Sequence, residues 1–162
     1  MTIAVYAGTF DPFTTGHLFV VRRAAALFQH VIILVADNPA KTPLFTAAER
    51  LAMIRDATKR LPNVGADSTS GLVVEYAREV GATALVRGIR DAADAVSESV
   101  LAELNWSLAP EIATLLLPAP PDIRGVSSTA AKVRASHGEA LDPLLAPDIA
   151  RQLRERITGS SS

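Results

Sequence analysis

Residues 8–17, with the sequence GTFDPFTTGH, carry side chains and backbone groups suited to binding an anion. The segment follows a short apolar run, turns at Asp11 and Pro12, and enters a helical pattern near Gly16 and His17. The first amides of a helix lack partners within it, and the helix dipole adds partial positive charge there. We therefore expect Gly16 to admit a phosphate or base, and His17 to point a ring nitrogen at it while supporting little of the core. The alternative is an ordinary turn with a threonine cap and a solvated histidine.

Two arginines, Arg87 and Arg90, flank Gly88 directly after the apolar run 84–86. A guanidinium group is planar and binds phosphate oxygens through two parallel N–H groups, so a pair of arginines can hold a polyphosphate or a phosphoryl acceptor. Their alternative role is to form ion pairs with nearby acids: Asp91, Asp94 or Glu98.

A lysine and a run of hydroxyls follow other apolar runs. Lys41 comes after the run 31–36, where it is either a phosphate contact or one more solvated loop residue. Ser127, Ser128 and Thr129 open a helical pattern after 118–121, a rigid proline-rich loop. Hydroxyls and free amides at a helix start can bind phosphates or simply cap the helix, and both roles can hold together.

The elements that position these residues alternate along the chain. Apolar, β-rich runs predict strands at 3–7, 31–36, near 64, 84–86 and 114–117. Helical spacing predicts helices at 16–28, from a Thr46/Glu49 capping box through Arg55, and at 72–80, 92–108, 127–134 and 147–157. This alternation predicts an α/β fold with a doubly wound parallel sheet, in which ligands bind beyond the carboxyl ends of the strands.

Composition sets the wider limits. The 162 residues suit one domain, which we place at 1–157, with 158–162 as a flexible tail. The chain contains no cysteine, which excludes disulfides and thiolate zinc sites and favours a cytoplasmic location. The formal net charge is -1, which argues against a nucleic-acid partner. No apolar run approaches the roughly 20 residues that span a bilayer, and no signal-peptide pattern begins the chain, so we expect no membrane partner.

Together these motifs resemble the phosphopantetheine adenylyltransferase family, within the nucleotidyltransferases that carry a T/HxGH signature. The signature is present here at 14–17 as TTGH. A second motif is present at 126–129 as VSST, followed by Lys132. The segments 38–41 and 87–90 lie between these motifs in the order and spacing of the family. The resemblance extends over nearly the whole chain and implies a Rossmann-like nucleotidyltransferase fold.

The resemblance implies an in-line transfer of AMP from ATP to 4′-phosphopantetheine, which yields dephospho-coenzyme A and pyrophosphate without a covalent enzyme intermediate. It implies three catalytic residues: His17, Lys41 and Arg87. It places five residues at the acceptor: Thr9, Lys41, Val73, Arg87 and Asn105. It places a larger set at the nucleotide: Thr9, Phe10, His17, Gly88, Ile89, Arg90, Glu98, Ile123, Arg124, Gly125, Val126, Ser127, Ser128 and Thr129. It also implies a Mg²⁺ ion held mainly by phosphates and water, with no metal ligands from the protein, and a homohexamer.

The chain departs from the family pattern at two places. The family typically has Asp-Phe-Glu-Tyr-Glu after its second arginine, whereas Ala95 and Ser97 replace the two aromatic residues here. The family usually has aromatic residues before its Ser-Ser pair, whereas this chain has Ile123, Arg124 and Gly125. These changes leave two alternatives open: a related transferase that uses ATP or CTP with another phosphate or phosphonate acceptor, and a nucleotide-binding paralogue without turnover.

Overall fold

Five strands and six helices alternate along residues 1–159, which are the residues described by a computed structural model of the chain. The strands are β1 Ile3–Gly8, β2 His30–Ala36, β3 Val64–Thr69, β4 Ala84–Ile89 and β5 Ala113–Pro118. The helices are α1 Thr15–Leu27, α2 Ala47–Thr58, α3 Val73–Glu79, α4 Ala92–Leu108, α5 Ser128–Ser136 and α6 Pro147–Gly159, with a 3₁₀ turn at Pro121–Ile123. Within residues 1–159, no helix has the length and apolar character needed to cross a bilayer.

The strands form one parallel sheet in the order β3-β2-β1-β4-β5. The chain winds outward from β1 to β3 and then returns to place β4 on the other side of β1. The direction of winding therefore reverses between β1 and β4. Such a switch point leaves a crevice beyond the carboxyl ends of the two strands, because the connections on either side lead away from it. The predicted doubly wound parallel sheet is confirmed.

The sheet buries both of its faces. Along β1, Tyr6 packs into one layer, whereas Val5 and Ala7 pack into the other, as expected from the two-residue repeat of a strand. Helix α3 covers the second layer through Val74 and Ala77. Helix α4 differs from the other helices, because none of its 17 residues is fully buried.

Three predicted boundaries were wrong. Strand β4 continues to Ile89, so Arg87 lies inside the strand, where it pairs in register with Leu116 of β5. The prediction ended the strand at residue 86 because the apolar run is followed by Arg87 and Gly88. A strand end beside a ligand crevice does not need apolar side chains, so the strand continues past this run. The proline-rich loop is shorter than predicted, since Pro118 ends β5 and Pro121 begins the 3₁₀ turn. Helix α6 includes residues 158 and 159, which were assigned to the tail, while residues 160–162 lie outside the described part.

Candidate active site

A cavity of about 670 Å³ opens beyond the carboxyl ends of β1 and β4, at the switch point of the sheet. It brings together most of the residues that the sequence motifs single out. These are Thr9, Phe10, Gly16, His17, Arg87, Gly88, Ile89, Arg90, Glu98, Ile123, Val126, Ser127, Ser128 and Thr129. Residues from five separate stretches of the chain therefore meet around one space.

His17 is fixed at the start of α1 by a capping box. The Thr14 side chain accepts a hydrogen bond from the His17 amide, and His17 Nδ1 accepts one from the Thr14 amide at 3.0 Å. Because a backbone amide can only donate, Nδ1 carries no proton and the proton of the neutral ring lies on Nε2. Burial, with the charges of Arg87 and Arg90, lowers the pKa of His17 to about 4. At neutral pH the ring is therefore an uncharged donor through Nε2–H.

His17 also belongs to an aromatic cluster. Its ring lies edge-on to Phe10 with the centroids 5.0 Å apart, and the ring of Phe13 lies 5.5 Å away. Phe10 itself has a positive φ of 51° and is buried beneath the cavity. The expectation that His17 supports little of the core was wrong, because a side chain that caps a helix and packs on two buried rings contributes to stability.

The start of α1 offers fewer free amides than the sequence suggested. The amide of Thr15 donates to the carbonyl oxygen of Leu144 at 3.0 Å, and that of His17 is taken by the Thr14 side chain. Gly16 lies between them and lines the cavity. An anion at this helix start would therefore meet the Gly16 amide and the His17 ring rather than a full turn of amides.

Arg87 is held rigidly from two sides. Its Nε and Nη2 donate to the two carboxylate oxygens of Glu98 at 2.7 and 2.8 Å, and its Nη1 donates to the carbonyl oxygen of Ala7 at 2.7 Å. The hydrogen bonds to Glu98 raise the pKa of Arg87 further above its ordinary value, so it stays charged. The ion pair left open by the sequence is therefore present, and it aligns a guanidinium group that also borders the cavity.

Arg90 forms a second ion pair in the same wall. Its Nε donates to Asp94 at 2.8 Å, and Asp94 also accepts from the Arg90 amide at 3.0 Å. The hydrogen bond to Arg90 lowers the pKa of Asp94, which therefore remains ionised. Asp94 lines the cavity but was not among the predicted site residues. Its position four residues after Arg90 on a predicted helix was the available signal.

The opposite wall is the start of α5. Ser127 caps this helix by accepting from the Ala130 amide at 3.0 Å, and Ser128 donates through its hydroxyl to the carbonyl oxygen of Pro12 at 2.8 Å. The capping role of the serines is thus present. The first amides of a helix have no partner within it, so the Ser128–Thr129 turn remains an anion-binding element beside the cavity.

Lys41 does not line the cavity that contains His17 and Arg87. It borders an adjacent cavity of about 420 Å³, together with Asp11, Asp37, Arg50 and Lys132, none of which was predicted as a site residue. The two cavities share three wall residues: Thr9, Ser128 and Thr129. Within residues 1–159 the exposed Lys41 ammonium forms no ion pair, so it is available to an anion that extends across the shared wall.

Val73 and Asn105 lie around a third, apolar cavity of about 190 Å³. Arg87 and Ala7 border both this cavity and the larger one, and Arg87 is the charged residue of the two. Two predicted nucleotide contacts, Arg124 and Gly125, are exposed and line none of the three cavities. A three-residue 3₁₀ turn precedes Arg124 and points the chain away from the cavity before Val126 returns to it.

The lost aromatic positions on α4 have little effect on these walls. Ala95 and Ser97 line none of the three cavities, and the Ser97 hydroxyl donates to the carbonyl oxygen of Ala93 within its own helix. No group of three or more His, Asp or Glu side chains lies together among residues 1–159 to hold a metal ion.

Comparisons with known proteins identify the family to which this chain belongs. Residues 5–134 match the protein family described as cytidylyltransferase-like. A phosphopantetheine adenylyltransferase from Desulforudis audaxviator (strain MP104C) is 44% identical over 157 residues, which cover 97% of this chain and 96% of that protein. A phosphopantetheine adenylyltransferase from Synechococcus sp. (strain JA-3-3Ab) is 46% identical over 155 residues, covering 96% and 98% respectively.

A solved structure shares the fold at much lower sequence identity. It is that of a putative nicotinate-nucleotide adenylyltransferase from Vibrio parahaemolyticus, which superposes with a TM-score of 0.69 at 16% identity. The alignment covers 94% of this chain and 99% of that one. The two proteins thus share the overall fold.

Proposed function

The chain belongs to the phosphopantetheine adenylyltransferases within the cytidylyltransferase-like family, and on that premise we propose that it transfers AMP from ATP to 4′-phosphopantetheine. The products are dephospho-coenzyme A and pyrophosphate, so the reaction is a step of coenzyme A biosynthesis. The observation that carries this proposal is the single cavity that is bordered by His17, by two arginines and by the capped start of α5. This arrangement suits a triphosphate, whose charge is spread over several phosphate groups.

The reaction needs little proton transfer. A phosphate acceptor is already ionised near neutral pH, so it can attack the α-phosphorus of ATP without a general base on the protein. Catalysis then depends on positioning the two phosphates and on donors aimed at the charge that develops during transfer. Cysteine is absent from the chain, and in this scheme no covalent intermediate forms on the protein.

His17 supplies the first of these donors. Its Nε2–H is the free donor of a neutral ring whose other nitrogen is occupied by Thr14. We assign it to a non-bridging oxygen of the α-phosphate. Because the ring is held by its cap and by two aromatic contacts, it does not need to reorganise when charge builds up, which is the condition under which such donors are most effective.

Arg87 and Lys41 hold the acceptor from two directions. Arg87 borders the apolar cavity near Val73 and Asn105, so we place the acceptor phosphate on its guanidinium and the pantetheine arm in that cavity. Lys41 reaches the reacting phosphates across Thr9, which lies in the wall between the two polar cavities. The long, flexible lysine side chain suits a contact that forms only when ligand is present.

Arg90 and the start of α5 hold the leaving phosphates. Arg90 is charged and partly exposed beside its partner Asp94, and the turn at Ser127–Thr129 faces it across the cavity. We propose that Mg²⁺ enters with ATP, held by phosphate oxygens and water, and offsets part of the phosphate charge. We propose the cytoplasm as the location of the protein, since ATP is available there.

We also propose a homo-oligomer, a hexamer by family resemblance. The observation that supports it is that α4 carries exposed apolar side chains at Val96, Val100, Leu104, Trp106 and Leu108. Trp106 alone is 66% exposed. Apolar patches of this kind mark association surfaces. Light scattering on the purified protein tests the mass, and Val100→Glu should lower it.

The activity is tested by incubating the protein with ATP and 4′-phosphopantetheine and measuring pyrophosphate and dephospho-coenzyme A in parallel. The two products should appear in equal amounts. Pantetheine without its phosphate should give none, because it offers neither an ionised nucleophile nor a partner for Arg87. Replacing ATP with CTP tests the base preference. ATP binding without pyrophosphate release from any phosphorylated acceptor would contradict the proposed function and indicate a nucleotide sensor instead.

A further inference from the structure

Asp11 lies beside the proposed site and makes more contacts than its surface-loop sequence suggests. Its side chain is 4% exposed, and its carboxylate accepts three hydrogen bonds from different parts of the chain. The amides of Leu44 and Phe45 donate at 2.8 and 2.9 Å, and the Lys132 ammonium donates at 2.7 Å. Although burial acts to raise the pKa of Asp11, the Lys132 bond and the two amides lower it overall, so the carboxylate stays ionised.

These three donors lie on the segments that carry the proposed phosphate contacts. Asp11 follows Thr9 by two residues, and Leu44 follows Lys41 by three. Lys132 lies on α5 one turn beyond Ser128, so it shares a face of the helix with that residue. One carboxylate therefore ties together the three segments around the wall between the two polar cavities.

Arg50 reinforces the same junction. Its side chain is 1% exposed, and its Nη1 donates to the carbonyl oxygen of Thr9 at 3.0 Å. Its Nε donates to the carbonyl oxygen of Phe45 at 3.0 Å, and its Nη2 to Asp37 at 3.0 Å. All three guanidinium nitrogens are thus engaged by the protein. The Arg50 side chain is 1% exposed, whereas that of Arg87 is 27% exposed, so Arg50 fixes the backbone on both sides of the junction and Arg87 keeps a surface for a ligand.

We infer that Asp11 is a positioning residue for nucleotidyl transfer, which sets the segment bearing Lys41 against Thr9 and the start of α5. The inference rests on the proposed function, since it concerns the distance between Lys41 and the reacting phosphates. A carboxylate beside a polyphosphate repels it and costs free energy to bury. The position of the Asp11 carboxylate is explained by the three donors that it aligns. The positive charge of Lys132 offsets the negative charge of Asp11.

The first test is structural and uses amide hydrogen exchange in the wild type and in Asp11→Asn. Asparagine keeps only one acceptor oxygen, so either the Phe45 amide loses its partner, or the Leu44 amide and Lys132 lose theirs together. Exchange of the amide that loses its partner should quicken by roughly tenfold or more, as expected for loss of local protection. Unchanged exchange at both amides would show that Asp11 does not hold the segment of Leu44 and Phe45 in place. This measurement does not depend on turnover.

The second test is kinetic and separates positioning from general loss of structure. Asp11→Asn should lower kcat by about 10–100-fold, because misplacing a reacting group by about 1 Å costs on that order. The KM for ATP should change by a smaller factor than kcat, because Arg90 lies outside the network and continues to bind ATP even if the start of α5 shifts. In a Lys41→Ala background the same substitution should cost less than about threefold, since residues that act as a unit are not additive.

Two further variants complete the design. Lys132→Met keeps the bonds from Leu44 and Phe45 to Asp11 and should cause a smaller loss of kcat than Asp11→Asn. Lys59→Met is the matched control, because Lys59 is an exposed lysine that also pairs with an aspartate, at 2.9 Å, far from the site. It should leave kcat unchanged. If Asp11→Asn lowers kcat by the same factor in the Lys41→Ala background as in the wild type, Asp11 does not act by positioning Lys41. A wild-type protein that transfers no AMP would instead refute the proposed function.

Discussion

Replacing His17 with alanine removes three interactions at once, and the structure separates their sizes. The Nε2–H donor acts on the transfer step, whereas the cap to Thr14 and the contacts with Phe10 and Phe13 act on folding. Loss of one preorganised donor lowers kcat by about 10²–10³-fold, or about 2.7–4 kcal/mol. Loss of the cap costs about 1 kcal/mol, and the ring contacts add about 0.5–1.5 kcal/mol each.

The expected loss of folding free energy is therefore roughly 2–3 kcal/mol once the contacts relax in part. For a chain of this length that corresponds to a fall in Tm of roughly 4–12 °C. Pyrophosphate release at saturating substrates measures kcat, and urea denaturation measures the free energy of unfolding. Both assays are performed at a temperature where the variant remains folded, so that the two effects are measured independently.

His17→Gln separates the two roles. Glutamine at the third helical position is a normal capping-box residue, so its side-chain oxygen can accept from the Thr14 amide while its amide nitrogen still donates. We expect it to recover about 1 kcal/mol of stability and part of the lost activity. His137→Ala is the surface control, because His137 is exposed at the end of α5. A kcat for His17→Ala within about threefold of the wild type would refute the donor role, since one such donor accounts for at least about 10².

Three further predictions concern the same cavity. NMR of the His17 ring nitrogens should show the Nε2–H tautomer at pH 7 and protonation only near pH 4, and protonation near pH 6.5 would contradict this. Because the pKa of His17 in the folded state lies below the unfolded value of 6.5, the free energy of unfolding should fall by roughly 3 kcal/mol in all as the pH falls from about 6.5 towards 4. Glu98→Gln should lower the unfolding free energy by about 1–2 kcal/mol and raise the KM for the acceptor, because Arg87 loses its charged partner. An unchanged KM would show that the Arg87–Glu98 ion pair does not contribute to acceptor binding. Gly88→Ala should weaken ATP binding and cost about 1–3 kcal/mol, since a Cβ there would lie 2.8 Å from Val20 Cγ2; calorimetry and urea denaturation test both, and wild-type values would refute the steric argument.

The sequence was sufficient to predict the fold class because strands and helices of a parallel α/β sheet each have a recognisable local pattern. Strand β2 is an unbroken apolar run after its first residue, His30, and helix α2 carries its own capping signal at Thr46 with Glu49. The sequence predicted that strand β4 ends at residue 86, whereas it continues to Ile89. The prediction was too short because Arg87 and Gly88 line the crevice and do not follow an apolar pattern. Local patterns therefore marked the buried parts of elements and missed the parts that face a ligand.

What the chain determined by itself was the identity of the chemical groups: a histidine at a helix start, cations after buried strands and hydroxyls at a second helix start. Only the tertiary structure decided how these groups are divided in space. It placed Lys41 in an adjacent cavity rather than beside His17, and it made Arg87 the charged residue shared by the larger polar cavity and the apolar cavity. It also revealed Asp11 as the junction of three segments, a role that no local pattern contains, because its partners lie 33, 34 and 121 residues away in the chain.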